Sequence, residues 1–131
     1  MKKIILDTNF LLIPIQFKVD IFSELKRICD FNYELFIFKS SVDELKNIIR
    51  VQSGKSKKAA QFALKLIRLK NIKIIESGEK DVDSLILKNI NHTMVTATQD
   101  MLLKNKLLEK GHSVIILRQK KYLQLIGKFY K

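Results

Sequence analysis

A single cysteine, Cys29, rules out an internal disulfide, and 131 residues with 47% hydrophobic side chains can bury a core without one. With Ile28 and Phe31 beside it, Cys29 reads as a packing residue in a cytoplasmic protein. No apolar run approaches the roughly 20 residues that a membrane-spanning helix needs. The opening Met1-Lys2-Lys3-Ile4-Ile5-Leu6 resembles a secretory leader, but Asp7, Asn9 and Pro14 interrupt the apolar stretch and no small-residue cleavage site follows. Glycine and serine cluster only at Gln52-Ser53-Gly54-Lys55-Ser56, which separates helices expected over about 42–50 and about 57–69. No linker, repeat or low-complexity tract is visible, so residues 1–131 are expected to form one domain. Gly54-Lys55-Ser56 looks like the end of a phosphate-binding loop. Ile49, however, stands where that motif needs its first glycine, and the segment follows a helix. His92 and His112 stand singly in turns, which leaves no zinc pattern.

Acidic residues are also scarce. Thirteen Asp and Glu face 25 Lys and Arg, a net charge of +12. Segment 46–80 is dense in bases, including Lys55, Lys57, Lys58 and Lys80 against Glu76 and Glu79, and the C-terminal stretch adds Arg118, Lys120, Lys121, Lys128 and Lys131. Such an excess favours a polyanionic partner through counterion release and electrostatic steering. Lys55, Lys57, Lys58, Arg118, Lys120 and Lys121 are the expected contacts to that polyanion; the competing reading is a lysine-rich surface kept for solubility.

Against that background four acids fall where strands end or helices begin. Lys2-Lys3-Ile4-Ile5-Leu6 is a buried-strand run that stops at Asp7-Thr8-Asn9. Leu35-Phe36-Ile37-Phe38 leads through Ser40-Ser41 to the helix carrying Glu44, and Ile72-Lys73-Ile74-Ile75 precedes a helix opening at Asp81-Val82-Asp83. Thr93-Met94-Val95-Thr96-Ala97-Thr98 runs into Gln99-Asp100, and Ser113-Val114-Ile115-Ile116-Leu117 is the fifth strand, after a helix that Gly111 caps. Short strands alternating with helices imply right-handed crossovers, a parallel sheet and one α/β layer structure. Ligands bind beyond the carboxyl ends of such strands, which is where Asp7, Glu44, Asp83 and Asp100 lie.

Each acid also has a structural use. Glu44 fits a capping box with Ser41, and Asp100 suits the positive end of its helix with Thr98 as cap. Helix phase separates the alternatives: Val42, Leu45, Ile48 and Ile49 form a buried stripe with Glu44 at its margin and Asp43 facing away. The stripe of Val82, Leu85, Ile86, Leu87 and Ile90 places Asp83 about 60° from its centre and Asp81 about 140° away, which makes Asp81 the N-cap.

Asp7-Thr8-Asn9, the helix-borne Glu44, Asp83, and Thr96-Ala97-Thr98-Gln99-Asp100 together resemble the PIN-domain nucleases over nearly the whole chain. Residues 13–25 and 117–123 resemble the branch that holds the ribosomal-RNA-processing PIN proteins of eukaryotes and their archaeal relatives. Two positions depart from the family pattern: Ser84 stands where a second acid is frequent, and Gln99 where Asn is common. The resemblance implies a three-layer α/β/α sandwich with a central, mainly parallel five-stranded sheet, and an endoribonuclease dependent on Mg²⁺ or Mn²⁺, with water as nucleophile and 5′-phosphate and 3′-hydroxyl products. Such ions take hard oxygen ligands and lower the pKa of water. Asp7, Asp83 and Asp100 are the expected ligands, Glu44 a ligand or water orienter, and Thr8, Asn9 and Thr98 the residues holding the carboxylates, Asn9 foremost. The expected role is ribosomal RNA processing, with pre-ribosomal RNA as partner and a homodimer or an RNA-processing complex as the assembly. The alternatives are a toxin ribonuclease of a toxin–antitoxin pair and an RNA-binding scaffold with weak catalysis. A haloacid-dehalogenase-like phosphatase is disfavoured because Asn9 stands where its second aspartate belongs.

Overall fold

The computed structural model describes residues 1–78 and 81–127; Glu79, Lys80, Lys128 and Lys131 of the basic and acidic tally lie outside the described residues. The β-branched and aromatic runs form strands β1 (Lys2–Leu6), β2 (Tyr33–Phe38), β3 (Lys73–Ile75), β4 (Met94–Ala97) and β5 (Val114–Arg118). A sixth strand, β6 (Tyr122–Ile126), was not expected from sequence. The sheet order is β3-β2-β1-β4-β5-β6, parallel except for β6, which runs antiparallel to β5. The turn into β6 carries no glycine signal: Gln119 and Lys120 both take left-handed backbone, φ 52° and 56°, the conformation of a type I′ turn normally filled by Asn-Gly.

Alternation along the strands explains the continuous apolar runs. Ile4 and Leu6 face one layer, and Ile5 faces the other. The first layer holds α1 (Ile13–Phe17), α2 (Ile21–Ile28), α3 (Lys39–Val51) and α4 (Gly54–Leu69), with Phe10, Ile21, Leu25, Leu45 and Ala63 wholly buried against the sheet. The second holds α5 (Val82–Asn89) and α6 (Met101–Glu109), whose Ile86, Leu103 and Leu107 pack on Ile5, Phe38 and Val114. Full burial of each such side chain contributes about 1.5–3 kcal/mol. Both α3 and α4 begin three residues earlier than expected, because Ser77 Oγ accepts from the Ser40 backbone N–H across the layer and Gly54 takes a left-handed φ of 64°. Gly111, at φ 83°, ends α6 as expected, with the His112 N–H returning to Leu107 O at 3.0 Å.

This topology fixes the location of the site. The chain builds outward from β1 through β2 to β3, then crosses to β4 on the other side of β1. The carboxyl ends of β1 and β4 therefore diverge at a switch point, and the segments leaving them carry Asp7 and Asp100. Among the described residues no helix is long and apolar enough to cross a membrane.

Candidate metal centre and its basic rims

Asp7 ends β1, caps the 3-10 turn Thr8–Leu12 and is only 4% exposed. Its Oδ1 accepts from the Thr8 N–H at 2.8 Å and its Oδ2 from Thr98 Oγ1 at 2.6 Å. Thr98, fully buried after β4, also accepts from the Asp100 N–H at 3.0 Å, so one hydroxyl ties the two acid-bearing segments together. Asp100 is the N-cap of α6: its Oδ1 accepts from the N–H groups of Leu102 and Leu103 at 2.9 and 3.2 Å. It thus serves the helix with one oxygen and presents the other beside the cleft. On α3, Glu44 Oε1 accepts from Thr8 Oγ1 at 3.0 Å, and Thr8 is in turn hydrogen-bonded to the wholly buried Ser41 at 2.8 Å. Ser41 therefore sits inside α3 as a brace for the Thr8–Glu44 pair, a role its position near a helix start concealed.

Asp7, Glu44, Asp83 and Asp100, from four separate segments, line one hollow of about 390 Å³ together with Thr8 and Asn9. Asp81 lines it too, which corrects the expectation that it points away. Helix phase does not govern it, because an N-cap residue has extended backbone, here φ −66° and ψ 153°. As expected, Asp81 caps α5: Ser84 donates to it from both its N–H and its hydroxyl, each at 2.9 Å. Those two bonds hold the Asp81 carboxyl below its ordinary pKa. Ser84, where the family often has an acid, is thereby committed to the cap.

Asn9 has a different role from the one expected. Its Oδ1 accepts from the Gln99 N–H at 3.1 Å and its carbonyl from Gln99 Nε2 at 2.6 Å, so it joins the two loops; Thr8 and Thr98 hold the carboxylates. Gln99, longer than the Asn common in the family, reaches that carbonyl and also lies 3.4 Å from Gln16 Oε1.

The electrostatics are those of crowded acids. Burial pushes the Asp7 pKa up against the opposing hydrogen bonds from Thr98 and Thr8, and the charges of Glu44 and Asp100 push it further. Burial likewise raises Glu44, with Asp83 and Asp81 adding repulsion. Asp83 rises to about 6, first through burial, then through the charges of Asp7 and Asp100 and a hydrogen bond with the Asp100 carboxyl. Among the described residues no three His, Cys, Asp or Glu side chains stand close enough together to hold a metal ion as they are placed. The donor type is nevertheless right for Mg²⁺ or Mn²⁺: an all-oxygen, multiply anionic set at a rigid sheet edge.

Basic residues flank the hollow. Lys55, at the start of α4, lines a neighbouring cavity with Asn9, Gln16 and Gln99, and its Nζ donates to Gln16 O at 3.2 Å. Arg118 and Lys120 line another beside Asp100, joined by Lys104, which the sequence reading did not single out. Lys57, Lys58 and Lys121 are exposed, the first two on the opening turns of α4. Cys29, half-buried at the end of α2, has its thiol pushed up to about 11, chiefly by burial, in keeping with a packing role.

A mainly parallel sheet between two helical layers, with acids meeting at the carboxyl ends of its strands, is the architecture of a PIN domain. The chain matches the family described as PIN like domain over residues 4–120, and it belongs to that family. It is 32% identical to Ribonuclease VapC4 of Methanocaldococcus jannaschii over 97% of this chain and 98% of that protein. Ribonuclease VapC9 of Archaeoglobus fulgidus is 31% identical, over 89% of this chain and 84% of the relative. Among solved structures, the PIN domain endonuclease Utp24 superposes with a TM-score of 0.75 at 16% identity, covering 98% of this chain and 96% of that one. A domain of a functionally unknown protein from Methanocaldococcus jannaschii gives a TM-score of 0.56 at 18% identity, covering 90% and 92%. At those identities the two structures speak for the fold alone.

Proposed function

We propose that this protein is a divalent-metal-dependent endoribonuclease. The observation that carries the reading is the meeting of Asp7, Glu44, Asp83 and Asp100 in one hollow at the sheet's carboxyl edge, with raised pKa values on three of them. The curated relatives named as ribonucleases support RNA as the substrate. Asp7, Asp83 and Asp100 would hold Mg²⁺ or Mn²⁺, with Glu44 as a further ligand or a water orienter. A bound ion would lower the pKa of water and offset charge on the attacking and leaving oxygens. The chain's own residues do the positioning: Thr98 fixes the Asp7 carboxylate and Thr8 fixes Glu44, while Lys55 and Lys120, which line the two neighbouring cavities, would meet phosphates on either side of the scissile bond.

Asp7→Asn is expected to abolish Mn²⁺-dependent cleavage of single-stranded RNA, by at least about a hundredfold, while the folded state survives, since the change is nearly isosteric. Cleavage and thermal midpoint measured together decide this. Full activity in the folded variant would remove the proposal. Two cellular roles use this same chemistry, ribosomal RNA processing and a toxin's attack on cellular RNA. Induced expression in a host distinguishes them: growth arrest relieved by Asp7→Asn marks the toxin, and altered pre-ribosomal RNA ends without arrest mark the processing enzyme.

A further inference from the structure

Beside the acidic hollow lies a second one, of about 370 Å³, which shares Asp100 with it. Phe17 from the end of α1 and Met101 from the first turn of α6 give it apolar walls, and Lys104, Arg118, Gln119 and Lys120 give it a cationic rim. Met101 is 60% exposed, immediately after a residue of the acidic centre, where a side chain kept only for the core would be buried. Lys120 Nζ stands 5.8 Å from the centre of the Phe17 ring, so a cation lies over one face of that ring, which otherwise packs against the core. Lys120 reaches it from the strained β5–β6 turn, where Gln119 and Lys120 keep left-handed backbone without glycine, a feature that concentrates where the chain aims a functional side chain.

An aromatic face and a thioether beside three cations have the chemistry of a nucleotide in a single strand, whose flat base stacks while its phosphate meets the ammonium groups. A base paired within a duplex cannot present its face in this way. We propose that this hollow is a subsite for one unpaired nucleotide of the RNA adjoining the scissile phosphate. The base takes the place of Lys120 on Phe17, and Lys120 turns to the phosphate. The subsite rests on the ribonuclease reading for its ligand.

The test compares binding of two octamers of equal charge to the whole chain without divalent metal, one of riboadenylate and one of abasic ribose phosphate. Wild type is expected to prefer the base-bearing strand by about tenfold, the worth of one good stack. Phe17→Leu and, separately, Met101→Ala should erase most of that preference, whereas Lys120→Gln should weaken both octamers. Met101 is exposed, so its variant keeps the test decisive if Phe17→Leu fails to fold. Equal binding of the two octamers by wild type, or an undiminished preference in Met101→Ala, overturns the subsite. If wild type also cleaves RNA with Mn²⁺, the ribonuclease reading stands without it. Binding of neither octamer overturns the subsite, and absence of Mn²⁺-dependent cleavage besides overturns the ribonuclease reading.

Discussion

At the scale of single residues, Asp83 shows how the site sets function against stability. Its carboxyl is raised from an ordinary 3.8 to about 6 by burial and by the charges of Asp7 and Asp100. Below the ordinary value the group is protonated in both folded and unfolded chains and contributes nothing to pH dependence. Between about 4 and about 6 the folded state keeps a proton that the unfolded state has lost, so the metal-free protein loses stability as pH rises; above about 6 the full penalty remains. Asp83→Asn should therefore raise the metal-free thermal midpoint by a few degrees at neutral pH and leave it unchanged near pH 4, while abolishing the gain in midpoint that Mn²⁺ gives. Asp81→Asn should change neither, since asparagine caps a helix nearly as well. Asp20 and Glu24, held low chiefly by hydrogen bonds from Ser23 and Arg27, lose their contribution only in more acid solution and equally in both variants. An Asp83 variant with the same midpoint as wild type at neutral pH would mean that the carboxylates do not repel one another as the hollow implies. Asp7, Glu44, Asp83 and Asp100 could be placed at one edge from strand ends and helix phase, whereas Asp81 could not, because an N-cap residue escapes helix phase. The braces could not: Ser41 and Gln99 act through partners 33 and 90 residues away.

At the scale of elements, β4 carries a cost that no helix or strand pattern reveals. Thr96 is fully buried between Ile5 of β1 and Val114 of β5, and its hydroxyl has no hydrogen-bond partner among the described residues. A buried hydroxyl left unpaired costs about 1–3 kcal/mol. Thr96→Val, which keeps the shape and the β-branching, is expected to stabilise the protein by about 1 kcal/mol in urea unfolding; a loss of stability would show that the hydroxyl is satisfied in solution. Five strands and the helix stripes were legible because parallel strands buried on both faces are apolar without interruption and helix stripes repeat every 3–4 residues. β6 was not legible, because the Gln119-Lys120 turn lacks the residues its backbone favours. Its edge is finished instead by α2: Glu24 Oε1 accepts from the Leu123 N–H at 2.8 Å, and Arg27 donates to Leu123 O at 2.9 Å. Those bonds occupy strand-edge groups that would otherwise invite another chain.

At the scale of the whole molecule, a net charge of +12 surrounds a hollow lined by acids. On the ribonuclease reading the two signs are complementary: a phosphate strand would be drawn by the bases and held over a centre that would repel it unless cations neutralise the carboxylates. Composition already pointed to a polyanion, but only the fold shows which bases stand beside the acids, because Lys55, Lys104 and Lys120 reach the rims from α4, α6 and the β5–β6 turn. Replacing Lys55, Lys57 and Lys58 together with Gln should weaken single-stranded RNA binding and flatten its dependence on salt. The log–log slope is expected to fall by about 0.7 for each lost phosphate contact, hence by about 2 if all three lysines touch the strand. Lys55 lines the cavity next to Asn9, whereas Lys57 and Lys58 stand on the exposed first turns of α4, so a fall nearer 0.7 would assign the contact to Lys55 alone. Affinity measured from about 50 to 200 mM salt separates these outcomes. An unchanged slope would show that the strand leaves the acidic hollow without crossing the start of α4, with the Lys104 and Lys120 rim supplying the electrostatic attraction.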